Sequence, residues 1–571
     1  MTKKPKYVVA VADFETDPFL FERKPEPFAC GFMIFDKGGN RKFKSFWGED
    51  CADRFLDCLA AVSIPLTVYM HNGGKFDFYF LLHRLENPMR VIGGRIVEAK
   101  FGIHRFRDSV AIMPMALKQY NKKEIEYAKM EADKRERHRE EILDYLYHDC
   151  LYLHELCDAF VQRFGFKLTI AGTAKAELLA LHPQENLDYR HDAKFRPFFY
   201  GGRVECFDSG VLKGEWNVYD VNSMYPSVMR DFDHPVGRIP WTFTQATLDD
   251  DGWLVDHPGH MYFAIVVGRN RGALPIRLRD GLSFTEPHGT FYVCSHELRA
   301  ALELGLFEVE SIPTLYLVPN TQRFGAFVEK FVAEKVAAKI SGDKHSEIFS
   351  KFILNSAYGR FGIDPLEFKE WHIQVDGGER PVQSDYHVRH DLEWEPHECT
   401  PQYMMWRIPK YNAEEVRTQK IPAFGYEDVA IAASITSAAR AVLMRAIVAA
   451  KNPVYCDTDS IVCESLDTAQ VLHDSSLGAW KLEASGDEIS IAGKKLYCLT
   501  QKGEVVKMAS KGVRLDGEEI KMVAQGETVL WKSDAPNFSL TGGTRFVKRR
   551  AQSTAKARLL KSIDDDYELV V

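Results

Sequence analysis

Seven acids in this chain have the type and spacing to do chemistry on a phosphodiester. Asp13 and Glu15 lie two apart at the end of an apolar run from Tyr7 to Phe14. Asp77 follows a glycine-containing turn, and Asp149 comes one helical turn after Tyr145. Further along, Asp220 closes a second apolar run, while Asp457 and Asp459 flank Thr458 within Pro453–Cys463. Carboxylates gathered in one place repel one another unless divalent cations occupy the cluster. Two such cations about 3.5–4 Å apart activate an attacking oxygen and stabilise a departing one. The chemistry expected is therefore phosphoryl transfer or hydrolysis at two clusters. Tyr145 would orient water at the first, and Lys335, Lys339 and Lys351 would clamp polyphosphate near the second.

Each piece alone has an ordinary structural explanation. Asp13-Phe14-Glu15 could be a strand end with two solvated acids, Asp77 an acidic helix cap, and the lysines a solvated helical face. Their combination is harder to explain that way. Residues two apart on a strand share a face, so Asp13 and Glu15 point together. Residues four apart on a helix also share a face, so Tyr145 and Asp149 do the same. The strand Ile64–Met70 should run through the turn into a helix carrying Asp77 near its start. Asn217–Met229 reads as a strand, a turn and a helix with Pro226 in its first turn, whose free N–H groups suit a triphosphate. Pro453–Cys463 reads as a β-hairpin with two acids at its tip, where Asn or Gly is usual. Ala326–Ile340 has Phe327, Val328, Phe331, Val332, Val336 and Ile340 at helical spacing, and Ser346–Gly362 follows as its antiparallel partner.

Composition sets broader bounds. A chain of 571 residues exceeds what one core usually supports. The net charge of −8 does not mark a nucleic-acid binder, but whole-chain charge hides local basic surface, such as Lys548, Arg549, Arg550, Lys556, Arg558 and Lys561. The 11 cysteines show no zinc spacing, and a disulfide framework is not expected in so large a chain. Both point to a reducing compartment. The longest apolar stretch, Val429–Ala450, contains Arg440 and Arg445, each costing about 2.5–3.5 kcal/mol at a bilayer centre. It is expected to be a buried core helix, with no membrane among the partners.

In order along the chain, these motifs resemble the family B DNA polymerases with a DEDDy-type 3′→5′ exonuclease. The resemblance implies exonuclease metal ligation by Asp13, Glu15, Asp77 and Asp149, with Tyr145 assisting. It also implies contacts from Tyr69, His71, Asn72, Phe76, Phe80, Ser109 and Lys122 to a single-stranded 3′ end. DVNSMYPS, KFILNSAYG, YCDTDS and KKLY resemble the polymerase motifs. They imply Asp220, Asp457 and Asp459 as catalytic acids, with the Val221 backbone beside the metals. They further imply Tyr225 as the steric gate against ribose, with Lys339, Lys351, Asn355 and Tyr358 around the incoming nucleotide. Lys495 and Tyr497 would lie on the primer. FYGGR (Tyr200, Gly201 and Gly202 after Phe199) is similar to a linker coordinating synthesis with editing. TSAAR is similar to a primer–template element through Thr436 and Arg440.

FETDPF, HNGGKFDF, FRDS, TIAGTA and AGKKLY resemble most closely the protein-primed, tectivirus-type members from bacteriophages. HNGGKFDF departs from other members by an extra glycine. The resemblance implies an α+β multidomain fold: an RNase H-like exonuclease domain, residues 1–195, then a right-hand polymerase. Its parts would be a linker and first palm segment (196–240), a first insertion contacting terminal protein (241–321), fingers (322–362), a second insertion for processivity and strand displacement (363–417), the rest of the palm (418–510) and a thumb (511–571). The implied cofactor is Mg²⁺ at both sites, with Mn²⁺ as a substitute. The implied partners are primer–template DNA, dNTPs, a viral terminal protein and a viral single-stranded-DNA-binding protein, in the cytoplasm of an infected host cell. A conventional primer-dependent polymerase, a stand-alone repair exonuclease and a non-catalytic scaffold are the rival readings.

Overall fold

The computed structural model describes residues 8–19, 25–35, 39–121, 123–246, 260–279, 281–375, 378–399, 403–423, 425, 427–467, 476–533, 537–539, 543–553 and 567–569. The amino-terminal part is built on the strand Val8–Thr16, which pairs antiparallel with Pro27–Phe35 and parallel with Leu66–Met70. Leu66–Met70 in turn pairs parallel with His104–Asp108. The alternation of side chains along the first strand is visible in its packing. Val9 and Val11 enter one apolar layer with Ile142, Leu146 and Leu153 of the helix Arg139–Phe164. Ala10, Ala12 and Phe14 enter the other, with Phe55, Leu56 and Leu59 of the helix Cys51–Ala60. A strand buried on both faces can be continuously apolar, as this one is. Because Asp13 and Glu15 continue the odd-numbered face, they point toward the helix that carries Tyr145 and Asp149.

The same sheet grows to ten strands, and three of them come from far along the chain. Lys369–Val375 pairs with Tyr403–Pro409 and touches Glu86–Ile92 through Trp371 opposite Met89. The Asn87 side chain donates to the Ile373 carbonyl at 3.0 Å and accepts from the Ile373 N–H at 2.9 Å. Residues read from sequence as a polymerase insertion therefore extend the amino-terminal sheet.

The second large sheet has seven antiparallel strands. From edge to edge they are Glu504–Ser510, Leu496–Gln501, Trp480–Gly493, Gly210–Val221, Ser460–Cys463, Tyr455–Asp457 and Val204–Cys206. The helices Met224–Asp231 and Val429–Ala449 join its core through Met224, Val228, Ile435 and Leu443. Val429–Ala449 is long and apolar enough to cross a membrane by composition, yet 78% of its most apolar window is buried inside the protein. Beside it stands a four-stranded sheet, Trp241–Ala246, Phe307–Leu317, Tyr262–Asn270 and His288–Cys294, followed by the helix Ser295–Glu303.

The expected helix pair is present as Gly325–Ser341 and Lys344–Ser356. Gly342 turns the chain at φ +75°, a conformation glycine adopts without penalty, and Asp343 caps the second helix through the Ser346 N–H at 3.1 Å. Phe327, Val328 and Phe331 are buried, but Val336 and Ile340, placed on the same apolar stripe from sequence, are 53% and 82% exposed. The far end of the hairpin stands clear of the core. At the carboxyl end, the helix Gly517–Ala524 packs under Val529–Lys532, which pairs with Lys548–Ala551.

Candidate active sites

The first carboxylate cluster closes as the strand pattern requires. Oxygens of Asp13, Glu15 and Asp149 lie within 4.8 Å of one another. Asp77 sits against them: its charge, with those of Glu15 and Asp149, pushes the Asp13 carboxyl well above the ordinary range, on top of the larger effect of burial. Burial likewise pushes the Asp77 carboxyl up to about 8. Asp77 is 2% exposed, and its Oδ1 has no hydrogen-bond partner. A buried carboxylate oxygen without a donor, beside Asp13 of that cluster, fits a divalent cation. Tyr145 lies beside Asp149 and Glu15, and burial with those charges raises its hydroxyl above the usual value. A cavity of about 400 Å³ opens at Tyr145 and Asp149, lined also by His71, Asn72, Val110, Leu117 and Lys118.

The route to Asp77 differs from the helix expected. Gly73–Lys75 and Asp77–Phe80 are short 3₁₀ turns. The two glycines explain why. A Cβ on Gly74 would lie 2.0 Å from the Ile96 carbonyl oxygen, while its N–H donates to Asp108 Oδ2 at 3.1 Å. Asn72 takes φ +60°, and its side-chain oxygen accepts from Arg95 Nη1 at 2.9 Å. His71 Nδ1 lies 2.9 Å from Ser109 Oγ. His71 and Asn72 thus reach the cavity. Phe76 packs edge-on to Phe80 at 5.3 Å and to the exposed Phe19 at 5.9 Å. Phe80 lies beneath, against Phe14 at 5.7 Å. Tyr69, read from sequence as touching the 3′ end, is fully buried in the core beneath, because the parallel strand Leu66–Met70 is covered on both faces. Lys122 lies outside the described residues. Lys118 and Tyr127, which neighbours Tyr145, were missed; nothing in their local spacing marks them.

The second cluster forms where two central strands of the seven-stranded sheet meet. Asp220 lies opposite Ser460, and the Val221 N–H donates to the Asp459 carbonyl at 2.8 Å. Asp457 closes the strand before the turn. Thr458 takes φ +60°, rare for a β-branched residue and a mark of backbone strain held at a functional turn. Its N–H donates to the Arg203 carbonyl at 2.7 Å, and its hydroxyl donates to Asp457 Oδ1 at 3.1 Å. Burial first, then Asp459, pushes the Asp220 carboxyl up to about 6, against the opposing pull of Lys507 and Lys481. Asp459 is raised by burial and by Asp457. Lys495 Nζ donates to Asp457 Oδ1 at 2.7 Å, and its backbone N–H donates to the Tyr455 hydroxyl at 2.9 Å. Tyr497 packs 5.0 Å from Tyr455. Tyr225 and Tyr358 stack on each other, ring centroids 3.9 Å apart and 15° from parallel.

Residues 95–467 match the family model described as "DNA polymerase type B, organellar and viral". The DNA-directed DNA polymerase of Enterobacteria phage PRD1 is 40% identical over 97% of this chain and 99% of its own length. The chain belongs to the type B DNA polymerases of organelles and viruses. A probable DNA polymerase of Podospora anserina is 25% identical over 65% of this chain and 32% of its own length. The fold is that of Phi29 DNA polymerase in complex with primer-template DNA and incoming nucleotide. That match has a TM-score of 0.68 and 16% identity, and covers 96% of this chain and all of the other. The protein is a DNA-directed DNA polymerase with an α+β multidomain, family B architecture.

The remaining sites divide into two groups in this polymerase. Lys339, Lys351 and Asn355 stand exposed on the helical hairpin, with Lys335 half-buried; Lys351 and Asn355 are one turn apart. Thr436 and Arg440, read as DNA contacts, are buried instead. Thr436 donates back to the Ala432 carbonyl at 3.1 Å. Arg440 grips Glu297 through Nε and Nη2 at 2.7 and 2.8 Å, and donates to the Tyr200 and Gly201 carbonyls at 3.2 and 2.9 Å. Gly202 is required by contact: a Cβ there would lie 2.7 Å from Thr458 Cγ2. The Phe199–Arg203 segment therefore lies directly on the turn between Asp457 and Asp459.

Proposed function

We propose that the polymerase edits its own product with a 3′→5′ exonuclease and begins synthesis on a protein primer, copying a linear viral genome in the cytoplasm of an infected host cell. The observation that carries the editing half is the convergence of Asp13, Glu15 and Asp149 within 4.8 Å beside a cavity of about 400 Å³. Asp13, Glu15, Asp77 and Asp149 would hold Mg²⁺ there, and Asp220 and Asp459, with Asp457 and the Val221 backbone, would hold it at the polymerase site; Mn²⁺ is an acceptable substitute. When bound, these ions supply an activated oxygen nucleophile and charge neutralisation of the leaving group.

The chain's own residues do the rest. Tyr145 orients the attacking water at the editing site, and Asn72 and His71 hold the strand end, with Phe76 stacking on its bases. Ser109, read from sequence as a contact, is buried and instead positions the His71 ring. At the polymerase site, Lys339 and Lys351 neutralise the triphosphate, and Asn355 and Tyr358 bound the nascent pair. The Tyr225 ring occupies the space a 2′-hydroxyl would need. Lys495 holds Asp457 in place, and Tyr497 supports the primer strand. Placement carries the reaction, with no covalent enzyme intermediate.

Protein priming is supported by the likeness of FYGGR and TSAAR to the protein-primed branch. It is also supported by two inserted segments, one a four-stranded sheet and one an extension of the amino-terminal sheet. The priming hydroxyl would come from a terminal protein, and a viral single-stranded-DNA-binding protein would cover the displaced strand. Labelled dNTP incubated with the polymerase and a candidate terminal protein should yield a protein–dNMP adduct. Extension of DNA primers with no adduct from any such partner would favour a conventional primer-dependent enzyme.

A further inference from the structure

We infer that Glu297 is a positioning residue for nucleotide addition: through Arg440 it holds the segment Phe199–Arg203 against the turn that carries Asp457 and Asp459. Glu297 lies on the helix Ser295–Glu303, outside both carboxylate clusters, and is fully buried. Its two oxygens take both Nε and Nη2 of Arg440, leaving Nη1 aimed at the Tyr200 and Gly201 carbonyls. One residue on, Gly202 meets Thr458 with no room for a Cβ. The next residue, Arg203, accepts the Thr458 N–H at 2.7 Å. An unbroken run of contacts thus leads from Glu297 to the strained residue between the two catalytic acids.

The region carrying Glu297 grips the same segment a second time. Arg277 donates to the Phe199 carbonyl at 2.6 Å and lays its guanidinium 5.4 Å from the Tyr200 ring. A fully buried ion pair is a weak source of net stability, because desolvation offsets the attraction. What it does supply is fixed geometry: a bidentate fork leaves the guanidinium one orientation. Here that orientation presents Nη1 to two consecutive carbonyls of the segment beside the catalytic turn. The inference rests on the reading of Asp457 and Asp459 as the acids of nucleotide addition. Extension by Asp459→Ala would overturn that reading independently.

The test compares full-length variants on a primed single-stranded template, with degradation of unpaired DNA measured in parallel. Glu297→Gln should lower kcat for extension at least tenfold, with KM for dNTP and the degradation rate within twofold of the parent. Leu298→Ala, the next buried residue on the same helix, controls for a merely structural role and should keep kcat within threefold despite a lower Tm. Arg277→Ala changes an exposed side chain and should lower kcat severalfold without loss of Tm. The inference is overturned if Glu297→Gln and Leu298→Ala lose extension equally at matched Tm, or if Glu297→Gln loses both activities in parallel. Should Glu297→Gln fail to fold, Arg277→Ala decides alone, and an unchanged kcat overturns it.

Discussion

The two carboxylate clusters have similar chemistry in different electrical settings. The charges acting on Asp13 are those of Asp77, Glu15 and Asp149, in a pocket between sheet and helix. Asp220 feels Asp459 and Asp457 but also Lys507 and Lys481, and Lys495 pairs directly with Asp457. Burial, deeper at Asp77 than at Asp220, pushes the first to about 8 and the second to about 6. The polymerase site carries part of its own neutralising charge. In the amino-terminal cluster, the proposed nuclease site, the charges acting on Asp13 are acids that raise one another.

The comparison breaks most sharply if the sites prove inseparable. Asp459→Ala should remove several kcal/mol of transition-state stabilisation, about a thousandfold or more in primer extension, and leave degradation of single-stranded DNA intact. Asp13→Ala combined with Asp149→Ala should do the reverse; a surviving nuclease would show its ligands to be misassigned. A smaller effect is expected at Gly202, where an alanine must displace the catalytic turn: extension should fall about tenfold, with degradation unchanged. Tyr225→Val should relax discrimination against ribonucleotides by roughly 10–200-fold, the scale on which pocket shape acts. Unaltered sugar selection would remove Tyr225 as the gate.

The smallest expected effect concerns pH. Without metal, folded Asp77 keeps a proton up to about pH 8, whereas an unfolded carboxyl releases it near pH 4. The folded state binds more protons across that window, so this site's contribution to stability falls as pH rises through it. Divalent cation favours the ionised form and reverses the loss. The Tm difference between Mg²⁺ and chelator should widen by about 1–3 °C from pH 6 to 8, and the widening should shrink in the Asp13/Asp149 double variant, where only the Asp220/Asp459 site still takes the cation.

The acids were legible because their placement is local. Period-two alternation put Asp13 and Glu15 on one face, helical spacing paired Tyr145 with Asp149, and the hairpin tip was signalled by two acids between apolar strands. The errors share a cause. The spacing around Asp77 suggests a helix start, but Phe78 and Phe80 serve the core and the preceding Gly73 and Gly74 serve close backbone approach, neither of which leaves a periodic signal. Tyr69 was read from its motif, while its burial depends on layers added later in the chain. The TSAAR resemblance puts Arg440 on DNA; its buried pairing with Glu297, 143 residues away, lies beyond any local pattern. The strands 369–375 and 403–409 gave no hint that they would join the amino-terminal sheet, since edge pairing uses backbone groups that every residue has.

Anomalous diffraction from crystals soaked in Mn²⁺ with primed DNA and a nonhydrolysable dNTP addresses the two-site account most directly. Manganese should appear in two separate places, one among Asp13, Glu15, Asp77 and Asp149 and one between Asp220 and Asp459. Metal at only one of them, or bound by other residues, would contradict it.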